Sequence, residues 1–313
     1  MQRPQHHEAP SKPDLSFDEY LLEQERIDSR RNADPDCKQG RWTDNPLLHY
    51  GFFERNDRQK DTVSTECASV VRSACMNAKD ETAKRDVFVK IFGGVRFTQG
   101  RRGAAQKLAE ALCVSNEAWS KAIVNSACGA GVYRGVIPRS MVPQRLLKLC
   151  DFLRTKSCFD SVEELQSCIA DVMKTHRRPF FHSAQLAFDL THEPYRTGVC
   201  LRDGGRSCPL LVGSRRGLSY VNKFFPKDEP ETIASLAKRL SRRPTVIQTT
   251  LCAYHKYVKV WNFGINRWYK PLRGKTGQCW AQRRRGPQSH GRQVTARVAR
   301  EGYARSAGHE RRA

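Results

Sequence analysis

A few short stretches of this 313-residue chain hold residue types that could do chemistry. In "PFFHSAQLAFDL" (Pro179 to Leu190) an apolar helix runs into Asp189. A carboxylate near the end of a buried helix is costly unless it is paired, holds a cation or acts as a general base. The plainer alternative is an Asp that caps the next turn, at "THEPY". In "SRRGL" (Ser214 to Leu218) the apolar "PLLV" and a glycine come first, which places Arg215 and Arg216 at a turn where a helix starts. Free helix N–H groups bind anions and two arginines add charge-assisted hydrogen bonds, so this is a phosphate site or a solvated turn. "FGGVRFTQGRRG" (Phe92 to Gly103) mixes four glycines with three arginines, Arg101 and Arg102 among them. That composition suits backbone contact with phosphate, and equally an ordinary helix connection with glycine caps.

Other motifs exclude chemistry. "RGKT" (Arg273 to Thr276) would need a glycine at position 269 to form a nucleotide-binding phosphate loop, and that position is Tyr269. Twelve cysteines are scattered without a Cys-x-x-Cys pair, and Cys150 with Cys158 or His176 with His182 lack the spacing of a zinc finger or ribbon. The cysteines therefore read as reduced and mostly buried, with no metal. "RWTDNPLLHY" (Arg41 to Tyr50) raises a different question. Asp, Asn and Pro suffice for a turn, so Trp42 is surplus to one.

Helices must position these groups. Ser16 with Glu19, and Ser161 with Glu164, have capping-box spacing. Val162, Leu165, Ile169, Val172 and Met173 then follow at helical period. Further helices are predicted over about 60–77, 80–92, 101–113, 116–127, 142–154, 180–190 and 230–241, with strand alternation almost absent. A Gly- and Arg-rich loop is expected over 200–221. In "TTLCAYHKYVKVWNFGINRWYK" the aromatic and β-branched residues permit a short strand.

The formal net charge is +23, from 55 Lys and Arg against 32 Asp and Glu. A surface that basic concentrates polyanions, of which nucleic acid is the commonest large one. From Gly274 onward ten Lys or Arg face two Glu, which accounts for +8 and leaves +15 on the preceding residues. This basic tail reads as disordered, as do residues 1–14. No leader and no long apolar run is present, so the expectation is a soluble intracellular protein without a membrane partner. Clusters such as Arg283-Arg284-Arg285 would direct it to the nucleus in a eukaryotic cell.

Several segments, taken in order, resemble one family. "ERI", "WTDNPLL" leading to "FFERNDR", then "AQLAFDL", "GSRRGL" and "LCAYHKY" are similar to the helical module of 5-hydroxymethyluracil DNA kinases and the related alpha-glutamyl/putrescinyl-thymine pyrophosphorylases. The resemblance covers about Glu25 to Arg273. It is most specific at Trp42-Thr43-Asp44-Asn45-Pro46 and at the pairs Leu251-Cys252 and Lys256-Tyr257. It implies a mainly α, multi-helix globular domain over 15–273, similar to the helical folds of DNA glycosylases. The activity it implies is hypermodification of thymine in DNA. An amine or amino-acid co-substrate would displace pyrophosphate from a pyrophosphorylated 5-hydroxymethyluracil, with no cofactor.

Carried over by position, that resemblance gives Asp44, Asp189 and Lys256 as catalytic residues. Trp42, Arg55, Asp57, Arg216, Gly217, Cys252 and Tyr257 become substrate or DNA contacts, joined by Arg101, Arg102 and Arg215 from the basic loops. In this scheme Trp42 anchors its segment in the core while Thr43 and Asp44 face the site. The basic loops hold a modified-base duplex while a pocket accepts the flipped base. Arg216 and Lys256 neutralise the leaving pyrophosphate, and Asp189 or Asp44 handles the incoming amine.

The chain also departs from the family pattern. Arg and Glu are exchanged within Phe53-Glu54-Arg55-Asn56-Asp57-Arg58, and Ala253 and His255 stand where the family places acids. Those losses motivate a competing expectation, a non-enzymatic module that binds DNA or modified DNA. A glycosylase-like repair enzyme is a third, for which "THRRPFFHSAQ" lacks the glycine turn of a helix-hairpin-helix.

Overall fold

The structure is a computed structural model that describes residues 11–34, 42–45, 47–49, 62–78, 80–98, 103–125, 137–174 and 181–263. The basic tail, most of the N-terminal segment, and Arg55, Asp57, Arg101 and Arg102 lie outside the described residues. The protein is mainly helical. In chain order the elements are α1 (Phe17–Ala33), α2 (Thr62–Ala74), α3 (Glu81–Phe88), α4 (Gly94–Thr98), α5 (Ala104–Val114), α6 (Asn116–Val124), α7 (Val142–Thr155), β1 (Cys158–Phe159), α8 (Val162–Met173), α9 (Phe181–Leu190), β2 (Cys200–Leu201), α10 (Val212–Phe224), α11 (Ile233–Arg239) and α12 (Pro244–Phe263).

Capping explains where the helices begin. Ser16 accepts from the Glu19 N–H at 3.3 Å and the Ser16 N–H donates to the Glu19 carboxylate at 2.8 Å, so the full box forms at α1. At α8 only half of it forms. Ser161 caps Glu164, but the Glu164 carboxylate turns to Lys156 and the Asp160 N–H instead.

The described residues group into two compact bodies. The first contains α1, residues 42–49, α10 and α12 from Thr249 onward. Its core is an aromatic cluster. Tyr20 lies with its ring centroid 5.2 Å from both Tyr254 and Tyr257, and Phe17 meets Tyr254 edge-on at 5.6 Å. The Tyr254 hydroxyl donates to the Leu15 carbonyl at 2.9 Å, and that of Tyr257 to the Asp14 carboxylate, so both buried phenols are satisfied.

The second body contains α2 to α9, the two strands, α11 and the first residues of α12. Phe88 stacks on Phe92 at 4.2 Å, with Tyr195 against both rings. Between α3 and α4 the chain runs through a π-helical turn, Val89–Gly93. A Cβ on Gly93 would come within 2.6 Å of Leu146, and one on Gly94 within 2.7 Å of Leu108. These glycines are therefore helix-packing residues. Of the stretch suggested as a phosphate-binding loop, Phe92 to Thr98 is helical, residues 99–102 lie outside the described residues, and Gly103 takes a positive φ of 85° just before α5.

Two expectations are corrected. From Thr249 to Phe263 the segment is helix, not strand: Ile247, Leu251, Tyr254 and Val258 recur at helical spacing and are buried, and Pro244 occupies the first helical position. Helical period thus overrides the strand preference of the individual residues. The cysteines are not all reduced. β1 and β2 pair in parallel with Cys158 opposite Cys200, their Cα atoms 4.7 Å apart, and the two form a disulfide. Pairing brought together by the fold, which no local spacing reveals, puts the thiols within bonding reach. Of the remaining described cysteines Cys67, Cys150 and Cys208 are buried, whereas Cys113 is exposed. Burial raises the thiol pKa of Cys150 to about 12, so it is inert at neutral pH.

Candidate functional site

The sequence-predicted residues divide between the two bodies. Asp189 belongs to the second and is 1% exposed. Its carboxylate accepts from Arg96 Nε at 2.8 Å and from Arg96 Nη2 at 3.2 Å, and the same Nη2 donates to Ser64 Oγ at 2.6 Å. The pair ties α9 to α4, and Ser64 extends it to α2. The Asp189 carboxylate is therefore charge-paired.

The other described candidates lie in the first body. Trp42 is buried, and its indole Nε1 donates to the Asp34 carbonyl at 2.9 Å. Arg31 stands over its ring at 5.4 Å, and Arg30 donates to its carbonyl at 3.1 Å. The surplus Trp thus pins the segment to the end of α1. Thr43 is buried too and donates to Glu23 at 2.6 Å, which turns it toward α1, while Asp44 is exposed. The Asn45 carboxamide closes the turn by accepting from the Leu47 N–H at 2.9 Å. Tyr257, expected at a DNA contact, is fully buried in the aromatic core.

Two distant motifs do meet. Gly217 of α10 sits against the backbone of α12, where an added Cβ would fall 2.0 Å from the Leu251 carbonyl oxygen. One turn earlier, a Cβ on Gly213 would fall 2.4 Å from the Cys252 sulfur. Glycine at four-residue spacing lets the two helix backbones approach closely, so "GSRRGL" and "LCAYHKY" form one structural unit. The role of Gly217 and Cys252 here is packing. The helix begins at Val212 rather than at the arginines, which places Arg215 and Arg216 inside it, both exposed.

On the outer side of that helix pair lies a cationic and aromatic face. Arg216, Tyr220, Lys223 and Phe224 recur at intervals of four, three and one along α10, and His255, Lys256 and Lys259 recur along α12 at helical spacing. The His255 ring stacks on Tyr220 at 5.9 Å with the planes 27° apart, and Tyr220 stacks on Phe224 at 5.8 Å. Lys223 covers the Phe224 ring at 5.3 Å. Burial first, then the positive charges of Lys259, Arg216 and Lys256, push the His255 pKa down to about 4. His255 is therefore a neutral imidazole at physiological pH, and its Nε2 is buried without a hydrogen-bond partner among the described residues. Burial is the main cause of that depression, and the three nearby cations add to it.

Sequence reasoning found Arg216 and Lys256 but missed Tyr220, Lys223, Phe224 and Lys259. The signal was present as a four-residue recurrence of cationic and aromatic residues, visible only once α10 and α12 are recognised as paired helices. Among the described residues no group of three or more His, Cys, Asp or Glu could hold a metal ion, and no helix is long and apolar enough to cross a membrane. Comparison with protein-family models, with curated proteins and with solved structures returned no match.

Proposed function

We propose that the chain binds nucleic acid through the α10–α12 face of its first body. The observation that carries this reading is the convergence of Arg216, Lys256 and Lys259 on His255, beside the Tyr220 and Phe224 rings, in a chain of net charge +23. Cations that hold phosphates, interleaved with rings that accept unstacked bases, make a surface suited to single strands or to bases drawn out of a duplex. Fluorescence anisotropy with a labelled single-stranded oligonucleotide tests it, at salt concentrations from ~50 to ~200 mM. Replacing Arg216, Lys256 and Lys259 by Ser is expected to weaken binding and to flatten the salt dependence by about one unit of slope per cation. An unaltered affinity and slope would remove this face from the interface.

A second reading, thymine hypermodification, is favoured by one observation. Two motifs of the family resemblance, "GSRRGL" around Gly217 and "LCAYHKY" around Leu251-Cys252, meet across the same helix pair. In that reading Arg216 and Lys256 neutralise a departing pyrophosphate and the exposed Asp44 is the remaining carboxylate for the amine. Incubation of duplexes carrying pyrophosphorylated hydroxymethyluracil with candidate amines decides it. Pyrophosphate release that needs Lys256 supports transfer, and binding without release leaves the module as a reader.

A further inference from the structure

The second body contains a cavity of about 890 Å³, bounded by the turn at 191–194, the turn at 201–206, α11 and the start of α12. Among the described residues its rim carries Arg206, Lys238, Arg242 and Arg243 against one carboxylate, Glu193. We propose that this cavity is a separate binding site for a phosphate monoester of nucleotide size. The proposal does not rest on the nucleic-acid face, which belongs to the other body.

Three observations carry it. The first is how the fold gathers the cations. At the end of α11 Ser241 takes a left-handed conformation (φ 51°) and the Arg242 N–H returns to the Ala237 carbonyl at 3.0 Å. This reversal brings Arg242 and Arg243 back to the mouth beside Lys238, and α12 starts there with Pro244. Arg243 is held by a 3.1 Å contact between its Nη1 and the Nδ1 of His192, which also lines the cavity.

The second is the opposite wall. Gly204 (φ 63°) and Gly205 (φ 74°) form a turn that no side chain fills, and a Cβ on Gly204 would meet nothing within 4 Å. Asp203 fixes the turn by accepting from the Gly205 N–H at 2.8 Å and from the Ser207 N–H at 3.0 Å. Arg206 is thereby set at the rim.

The third is the mixed character of the interior. Val162, Phe188 and Leu201 line one part of it, which an inorganic anion would not need. A volume of this size lies within the range of about 300–1,000 Å³ typical of small-molecule sites. Guanidinium forks match phosphate oxygens, an apolar wall suits the face of a base, and Glu193 can accept from a sugar hydroxyl or an exocyclic amine. The phosphate could belong to a free nucleotide or to the 5′ end of a strand.

The test is isothermal titration of the full chain at ~150 mM salt with the four deoxynucleoside monophosphates, with the unphosphorylated nucleosides, and with one oligonucleotide bearing either a 5′-phosphate or a 5′-hydroxyl. Saturable one-to-one binding of a monophosphate, at least tenfold tighter than its nucleoside, is the expected result. A Lys238→Ser/Arg242→Ser variant, both positions exposed, is expected to lose tenfold or more. So is Ala234→Trp, which fills the cavity without changing its charge. Arg216→Ser, on the other body, leaves monophosphate binding unchanged and so separates the failure of one site from that of the other. In an Arg216→Ser/Lys256→Ser/Lys259→Ser background, tighter binding of the 5′-phosphorylated than of the 5′-hydroxyl strand identifies a strand end as the ligand, and equal affinity of the two strands beside saturable monophosphate binding identifies a free nucleotide; either supports the site. Absence of saturable monophosphate binding, or binding that survives Ala234→Trp, would overturn it.

Discussion

The ring of Tyr220 lies over that of His255, centroids 5.9 Å apart and planes inclined by 27°. One ring comes from α10 and the other from α12, and the imidazole is 8% exposed. Stacking on Tyr220 buries His255, while Lys259, Arg216 and Lys256 oppose its protonation.

This arrangement makes stability depend on pH in a definite direction. The folded-state pKa of His255, about 4, lies below the ordinary value of about 6.5, so the unfolded chain takes up the proton first as pH falls. The contribution is fully present above ~6.5 and is lost as pH falls toward 4. Urea unfolding at several pH values is expected to show the midpoint declining across that window. His255→Phe, which keeps the ring stack, is expected to make the decline shallower than in the wild type. Parallel curves for the two proteins would contradict the assignment.

Asp189 leads to a prediction about the fold rather than about turnover. Removing one partner of a buried ion pair leaves an uncompensated charge and costs about 3–5 kcal/mol. Asp189→Ala should lower the urea midpoint accordingly. An Arg96→Met/Asp189→Leu double substitution should lower it by less, because neither charge is left alone. A single variant that keeps wild-type stability but abolishes pyrophosphate release would mark Asp189 as a catalytic group.

The two glycines of α10 should behave differently on substitution. Gly213→Ala meets the Cys252 sulfur, a side-chain obstacle, whereas Gly217→Ala meets the Leu251 backbone. Both are expected to destabilise, in the range of about 1–3 kcal/mol typical of overpacking. Cys252→Ala should relieve most of the Gly213→Ala loss and little of the Gly217→Ala loss. Thermal unfolding of the three single and two double variants measures that coupling.

The Cys158–Cys200 disulfide spans a sequence separation of 42 residues. Closing a loop of that size is worth about 3–4 kcal/mol in the chain-entropy account. Alkylation followed by peptide mass mapping should label exposed Cys113 without reductant, and Cys158 and Cys200 only after reduction. The apparent melting temperature should fall on reduction. Labelling of Cys158 in unreduced protein would show that the pair is open.

How much of this was legible in the sequence depends on the range of the signal. The α1 start at Ser16 and the α8 start at Ser161 were readable because a cap and its partner lie three residues apart. The apolar period of α8 was readable for the same reason. α12 was misread because Val, Tyr and Thr favour strands one by one, while its helical register shows only over three turns. Asp189 was recognised as anomalous, but its partner Arg96 is 93 positions away and no local pattern points to it. The disulfide and the α10–α12 contact failed to show for the same reason. Arg216 and Lys256 were found through motifs, and Tyr220, which explains their geometry, carried no motif of its own.

The α10–α12 face, rather than the basic C-terminal segment alone, is the proposed contact with nucleic acid. The most direct measurement is ultraviolet cross-linking of the full chain to a 5-bromouracil-containing single strand at ~150 mM salt, followed by mapping of the linked peptides. Cross-links at Tyr220 or Phe224 are the expected result. Cross-links confined to residues from 264 onward would contradict it.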